Sequence, residues 1–322
     1  MENPYFATRR TRDVLASGVS RGVAQGPTWQ RRGHGLLVPS GTQDDPVTAR
    51  LADAAALLTP GCAIGGWASL RLQQNTFFDG GTPIRPALIH CPPGAQLRRR
   101  ACIQPFRGLT YPDEIIDLGG VAVTTMARAV FDELRLAPTL REAVVALDMG
   151  ISSVTGTPRT HLAAVRRVVE THHKVRGLAR ARDALELACS RSASPWESRT
   201  RLVAQLDLGM RQLLVNAPVF SPSGELLAIV DLHDLDSGLM IEVDGDHHRE
   251  RDQHAEDNRR EERLERAGAV VSRVSSLDHQ QPRELIARLA AARADASRSA
   301  RRDWTLDKPP WWWSWPPGRR YD

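Results

Sequence analysis

Apolar positions follow two rhythms along this chain. Over residues 140–189, Ala, Leu and Val recur at helical spacing among arginines, which predicts a helical run. In Ile229-Val230-Asp231-Leu232, and again in Met240-Ile241-Glu242-Val243-Asp244, apolar residues are interrupted by acids with the two-residue period of a strand. Asp234-Leu235-Asp236-Ser237-Gly238 between them has turn composition, so the two strands are expected to form a hairpin with Asp231 beside Glu242. Ile241 and Val243 would then face a core, and Glu242 and Asp244 would project together on the other side.

The same reading extends outward. Leu202, Val203 and Leu206 give the helix opened by Ser194-Pro195 a buried face. Residues 251–267 are dense in both signs of charge and read as a solvated helix packed through Ala255, Leu264 and Ala267, stopped by Gly268. Ala269 to Val274 reads as a strand, and Pro282 opens a last helix through Leu285, Ile286 and Leu289. Nearer the start, Phe6 to Ala16 reads as a helix, Gly18 breaks it, Ser20-Arg21 begins a short element, and Arg31 to Pro39 reads as a small β wing. Helices follow at about 48–58 and 63–70, and short strands at Leu88-Ile89-His90 and Ala101-Cys102-Ile103. The expected fold class is multidomain α/β, with segments at 1–47, 48–138, a helical connector at 139–190, an α/β domain at 191–295 and a Trp- and Pro-rich tail at 296–322. Five of the eight tryptophans fall in that tail, which reads as an extended, unordered segment able to dock on the body or on a partner.

The acids of the hairpin change the picture from fold to chemistry. Carboxylates gathered at one sheet edge repel one another unless a cation sits between them, and Mg²⁺ or Mn²⁺ suits an all-oxygen set made of Asp231, Glu242 and Asp244. His247 and His248 follow directly and have the pKa range for a general base at neutral pH. Ser194-x-x-Glu197 with Pro195 at the first helical position is a capping box, in which the Glu197 carboxylate reaches back to the cap's backbone N–H, a role that competes with any metal-holding one. His172-His173 is discounted as a metal pair, because adjacent residues on a helix face different ways.

Ser194-Pro195-Trp196-Glu197-Ser198-Arg199, Val230-Asp231, Ile241-Glu242-Val243-Asp244-Gly245-Asp246-His247-His248-Arg249 and the Asp257, Arg260, Leu264, Gly268 series together resemble a restriction-endonuclease-like domain. The similarity is to the PD-(D/E)xK superfamily, in the group related to very-short-patch-repair endonucleases, and covers residues 191–295. It implies hydrolysis of nucleic acid with Mg²⁺, with Glu197, Asp231 and Glu242 in the metal-holding roles and Asp244, His247 and His248 beside them. The superfamily's usual Lys, two residues after the last acid, is replaced here by Asp244. The chain has only two lysines, Lys174 and Lys308, so the base would be His247, His248 or Asp244.

Residues 1–43 hold six arginines, Arg9, Arg10, Arg12, Arg21, Arg31 and Arg32, against Glu2 and Asp13, in a chain whose net charge is only +5. With the helix, short element and wing, this order resembles the winged helix-turn-helix at the front of AbiEi-type abortive-infection antitoxins, and Gly119 to Arg128 with Phe131 to Leu134 resembles their middle region. The resemblance implies DNA as partner, contacted through those arginines, while RNA remains open as a substrate of the nuclease-like chemistry. A metal-dependent endonuclease and a non-catalytic DNA-binding regulator are the two functions to separate. No apolar run approaches the ~20 residues of a transmembrane helix, no signal peptide is expected at Met1, and Cys62, Cys91, Cys102 and Cys189 lack the spacing of a zinc site or disulfide framework. A cytoplasmic location is the expectation.

Overall fold

The computed structural model describes residues 7–33, 35–244 and 262–315. The fold is mixed α/β with three sheets. The chain divides into two units, one formed by Met1–Ala143 with Thr157–Glu186 and the other by Val144–Gly156 with Leu187–Asp322. The helical stretch at 139–190 is therefore shared between the units.

The first unit opens with β1 (Arg9–Arg10), α1 (Thr11–Ala16), α2 (Arg21–Ala24), β2 (Trp29–Gly33) and β3 (Leu36–Pro39), the strands forming a sheet in the order β1-β3-β2. The helix expected from Phe6 starts only at Thr11, because Arg9 and Arg10 are drawn into pairing with Leu37 and Leu36; Phe6 itself lies outside the described residues. α2 is a single turn capped by the Ser20 hydroxyl, and Gly26 and Pro27 follow it closely. Val14, Ala24 and Leu37 make a small core of their own.

Next come α3 (Pro46–Ala56), β4 (Ala63–Gly65), α4 (Gly66–Leu72), β5 (Ala87–His90), β6 (Ile103–Phe106), β7 (Ile115–Leu118), β8 (Val121–Thr124) and α5 (Met126–Leu136). Their strands form a mixed sheet, β6-β5-β4-β8-β7. The helix expected at 63–70 is divided: Ala63–Gly65 is a fully buried strand between β5 and β8, and the helix starts at Gly66. A buried run of small and apolar residues does not distinguish a strand from a helix by periodicity alone. α6 (Leu140–Ile151) spans the boundary between the units, while α7 (Leu162–Thr171) and α8 (Leu178–Glu186) belong to the first.

The second unit contains α9 (Pro195–Leu202), β9 (Leu213–Phe220), β10 (Leu226–Asp234), β11 (Leu239–Asp244), β12 (Val270–Ser275), α10 (Pro282–Arg298) and α11 (Pro310–Ser314). The sheet runs β12-β11-β10-β9, with β9, β10 and β11 antiparallel and β12 parallel to β11. The expected hairpin, its strand at 269–274 and its last helix are all present. One core cluster joins Val203, Val215, Leu232, Ile241, Leu285 and Leu289, and another joins Val219, Ala228, Val230, Met240 and Leu264. Leu206 does not share the buried face expected of it. The helix widens into a π-helical turn over Val203–Asp207, with Leu208 N donating to Val203 O, and the changed periodicity leaves Leu206 exposed.

The tail also departs from expectation. Thr305 pairs with Phe220, α11 begins with Pro310 at its first position, and Trp312 is fully buried against Phe220. A proline excludes helix only where its missing N–H would be needed, and at the first turn it is not. Among the described residues no helix is long and apolar enough to cross a membrane.

Candidate functional site

Glu197 sits in the first turn of α9, where the Ser194 hydroxyl accepts from Glu197 N at 3.1 Å. The capping box is offset by one residue: Glu197 Oε2 accepts from Ala193 N at 2.8 Å instead of from the cap's own N–H. The same oxygen accepts from Asn216 Nδ2 at 2.8 Å. α9 is held by the buried Asp148, whose Oδ2 accepts from Ser198 Oγ at 2.7 Å and Arg201 Nη2 at 2.8 Å. The Glu197 side chain is only 6% exposed. Burial pushes its carboxyl up to about 7, and the negative charge of Asp231 adds to the shift.

Asp231 lies where the sheet loses its regularity. The β9–β10 ladder pairs Val230 with Ala217 and Leu232 with Val215, passing over Asn216 and Asp231. Asn216 has φ of 50°, a left-handed conformation uncommon for a residue with a Cβ. Its amide Nδ2 also donates to Arg191 O at 2.7 Å, and Arg191 returns hydrogen bonds to Val215 O and Asn216 O. Val230 belongs to one core cluster and Leu232 to the other, although strict alternation would place both on one face. The phase of the sheet thus changes at Asn216 and Asp231.

The third strand breaks at the same level. β10 and β11 pair at Leu232↔Ile241 and His233↔Met240, a register whose next pair is Asp231 with Glu242. There the Asp231 carboxylate takes the place of the backbone, its Oδ2 accepting from Val243 N at 2.6 Å. Glu242 is buried, and alternation puts it on the Met240 side of β11; Ile241 enters the core as expected, whereas Val243 is only half-buried. On β12 the register partner of Glu242 is Arg273 and that of Asp244 is Ser275.

The structure therefore joins Glu197 to Asp231 electrostatically, and Asp231 to the backbone of β11 one residue past Glu242. Asp244 is half-buried at the end of β11. His247 and His248, with Gly245, Asp246, Arg249, Asp257 and Arg260, lie outside the described residues. Among the described residues no group of three or more His, Cys, Asp and Glu side chains could hold a metal ion. The carboxylates nonetheless fit Mg²⁺ in kind, since that cation binds through one or two carboxylates and keeps several of its waters. Asn216 and Arg191 were not anticipated. Their one signal in the sequence is an Asn inside the apolar run Leu213 to Phe220.

The six N-terminal arginines separate into two groups. Arg10 is spent inside the unit, donating to Ala56 O at 2.7 Å and Leu58 O at 2.8 Å, and Arg32 pairs with Asp44 and Asp53. Arg12, Arg21 and Arg31 are exposed and Arg9 half-buried, with Arg12 beside Asp13 at 3.3 Å. Arg21 and Arg31 line a cavity of about 330 Å³ between α2 and the small sheet.

The chain matches no protein-family model and no curated protein.

Proposed function

We propose that the protein is a metal-dependent endonuclease that hydrolyses phosphodiester bonds of DNA. Supporting this is one observation above the others: a buried Glu197 beside Asp231 at the point where β9, β10 and β11 all lose regular pairing. Strained backbone and a raised carboxyl cluster at functional sites, because each costs stability and persists only where the surroundings enforce it. On this reading the second unit carries a PD-(D/E)xK-type domain and the N-terminal sheet and helices a winged-helix-like one.

Asp231 and Glu242 would hold Mg²⁺ or Mn²⁺, with Asp244 adjoining. Bound there, the cation would polarise the phosphate and favour ionisation of a water. Asn216 fixes Glu197 through Oε2, and a carboxyl near neutrality is suited to exchanging a proton with the reacting groups. His247 and His248 are the other proton acceptors of this reading. Arg9, Arg12, Arg21 and Arg31 would contact phosphates, which positions DNA without reading its sequence.

The test is incubation with supercoiled plasmid and with single-stranded DNA or RNA in Mg²⁺ or Mn²⁺, beside Asp231→Ala/Glu242→Ala. Metal-dependent cleavage lost in the double variant is the expected result; equal cleavage by the variant overturns it. The second reading, a non-catalytic DNA-binding regulator, is favoured by Asp244 standing where the superfamily has its usual Lys. Intact nucleic acid in every lane, with salt-sensitive DNA binding by a folded protein, selects that reading instead.

A further inference from the structure

The first unit contains a buried polar assembly with no part in the site above. His90, at the end of β5, and Asp132, in the middle of α5, are both almost wholly buried, and His90 Nε2 lies 2.7 Å from Asp132 Oδ2. The other ring nitrogen, Nδ1, lies 2.7 Å from the hydroxyl of half-buried Thr110. A hydroxyl, an imidazole and a carboxylate thus stand in hydrogen-bonded series, as an activated nucleophile, its base and the group that orients the base do.

The direction of the protons follows from the partners. Burial would push the Asp132 carboxyl up, but the hydrogen bond with His90 and the charges of Arg128 and Arg135 oppose it, and the group is held well below the usual carboxylate range. Asp132 is therefore ionised and can only accept, so Nε2 donates to it. Nδ1 also faces Arg128 Nη2 at 3.5 Å, and a guanidinium has only hydrogens to offer. Nδ1 is left as acceptor, and the Thr110 hydroxyl donates to it. That is the tautomer a base needs in order to take the proton of Thr110.

Two glycines make room for the series. A Cβ on Gly65 would come within 2.4 Å of His90 Nε2 and 3.0 Å of Asp132 Oδ2, so β4 presses its bare backbone against the His–Asp bond. A Cβ on Gly108 would come within 2.2 Å of the Phe106 ring, which packs edge-on against His90 with centroids 5.1 Å apart. The loop carrying Thr110 is held close to the imidazole in this way. His90 and Thr110 also line a cavity of about 340 Å³ with Cys91, Pro92, Leu109 and Arg107, whose Nη2 donates to Leu97 O at 2.6 Å.

We propose that Thr110, His90 and Asp132 form an acyl-transfer site for small esters, with Thr110 as nucleophile, His90 as base and Asp132 as positioning residue. Thr110 Oγ1 gives its proton to His90 Nδ1 and bonds to the acyl carbon as the bond from that carbon to the leaving oxygen breaks. His90 returns the proton to the departing alcohol. Water, losing a proton to the same nitrogen, then cleaves the acyl-threonine to the free acid and restores the hydroxyl.

The experiment treats the full chain with p-nitrophenyl acetate and follows p-nitrophenol release together with peptide mass spectrometry. The expected result is an acetyl group on Thr110, retained in Thr110→Ser and absent from Thr110→Val, with turnover falling about 10²- to 10⁴-fold in the valine variant. The chain has only two lysines, so background acetylation is easily mapped. Acetyl found elsewhere with Thr110 unmodified, or identical turnover in a folded Thr110→Val, overturns the proposal. Nitrogen NMR of the wild-type protein tests the positioning role: a proton on Nδ1 of His90 in place of Nε2 overturns it as well.

Discussion

Glu197 gives the second unit a defined response to pH. Its carboxyl, ordinarily near 4.5, is raised to about 7 by burial and by Asp231. Between those values the folded protein binds a proton that the unfolded chain does not. Stability from this group is full below about 4.5 and is lost as pH rises through 7, to an extent of about 3 kcal/mol. Glu197→Gln removes the titration, so urea denaturation from about pH 5 to pH 8 should show the wild type losing ground against the variant by an amount of that order. Parallel profiles would mean that Glu197 is not buried beside a second charge. Asn216 yields a complementary test. In the left-handed region a side chain costs about 1 kcal/mol that glycine does not incur, and Asn216 offsets it with bonds to Arg191 O and Glu197 Oε2. Asn216→Ala loses both bonds and keeps the strain, so the expected order of stability is wild type, then Asn216→Gly, then Asn216→Ala. Asp231 and Glu242 were legible because acids interrupting apolar strands stand out by period, and Glu197 because it follows Ser194-Pro195 at the spacing of a capping box. Asn216 was not, since nothing in a sequence announces the sign of a φ angle.

At the scale of elements, the sequence failed where a helix or strand changes character midway. The π-helical turn at Val203–Asp207 expelled Leu206, and the phase change at Asn216 and Asp231 put Val230 and Leu232, two residues apart on β10, into different cores. Both depend on tertiary pairing, which local periodicity does not contain. The tail shows the same lesson from the opposite side, because its prolines suppressed a helix that the first-turn position permits. Trp312, fully buried and set edge-on to Phe220 with centroids 5.3 Å apart, now becomes the anchor of α11. Trp312→Ala is expected to cost about 3–5 kcal/mol, whereas Trp313→Ala, at a side chain 51% exposed with the Lys308 ammonium over its ring, should cost clearly less. Equal effects in thermal or urea unfolding would show that α11 is not docked through Trp312.

For the molecule as a whole, the division into two units carries a consequence for how stability is distributed. The chain passes between the units at residues 143/144, 156/157 and 186/187, yet β4, β5, β8 and α5 all belong to the first unit and the sheet bearing Asp231 to the second. Asp132 is the charge at the centre of the first unit: Arg128 Nε, Arg135 Nε and His90 Nε2 all converge on it. Asp132→Asn leaves the Arg128 and Arg135 guanidiniums buried with too little compensation, a loss of about 3–5 kcal/mol for a buried pair broken on one side. Its wild-type stabilisation is present above the ordinary carboxylate pKa near 3.8 and is lost as pH falls through the depressed folded value, so acid should erase the difference between the two proteins. Hydrogen exchange near neutral pH should report the loss in residues 63–65, 87–90, 121–124 and 126–136, with 213–220 and 226–234 retaining wild-type protection. Uniform loss across both sets would instead make the two units a single cooperative body, in which a change at the His90 assembly also reaches Asp231.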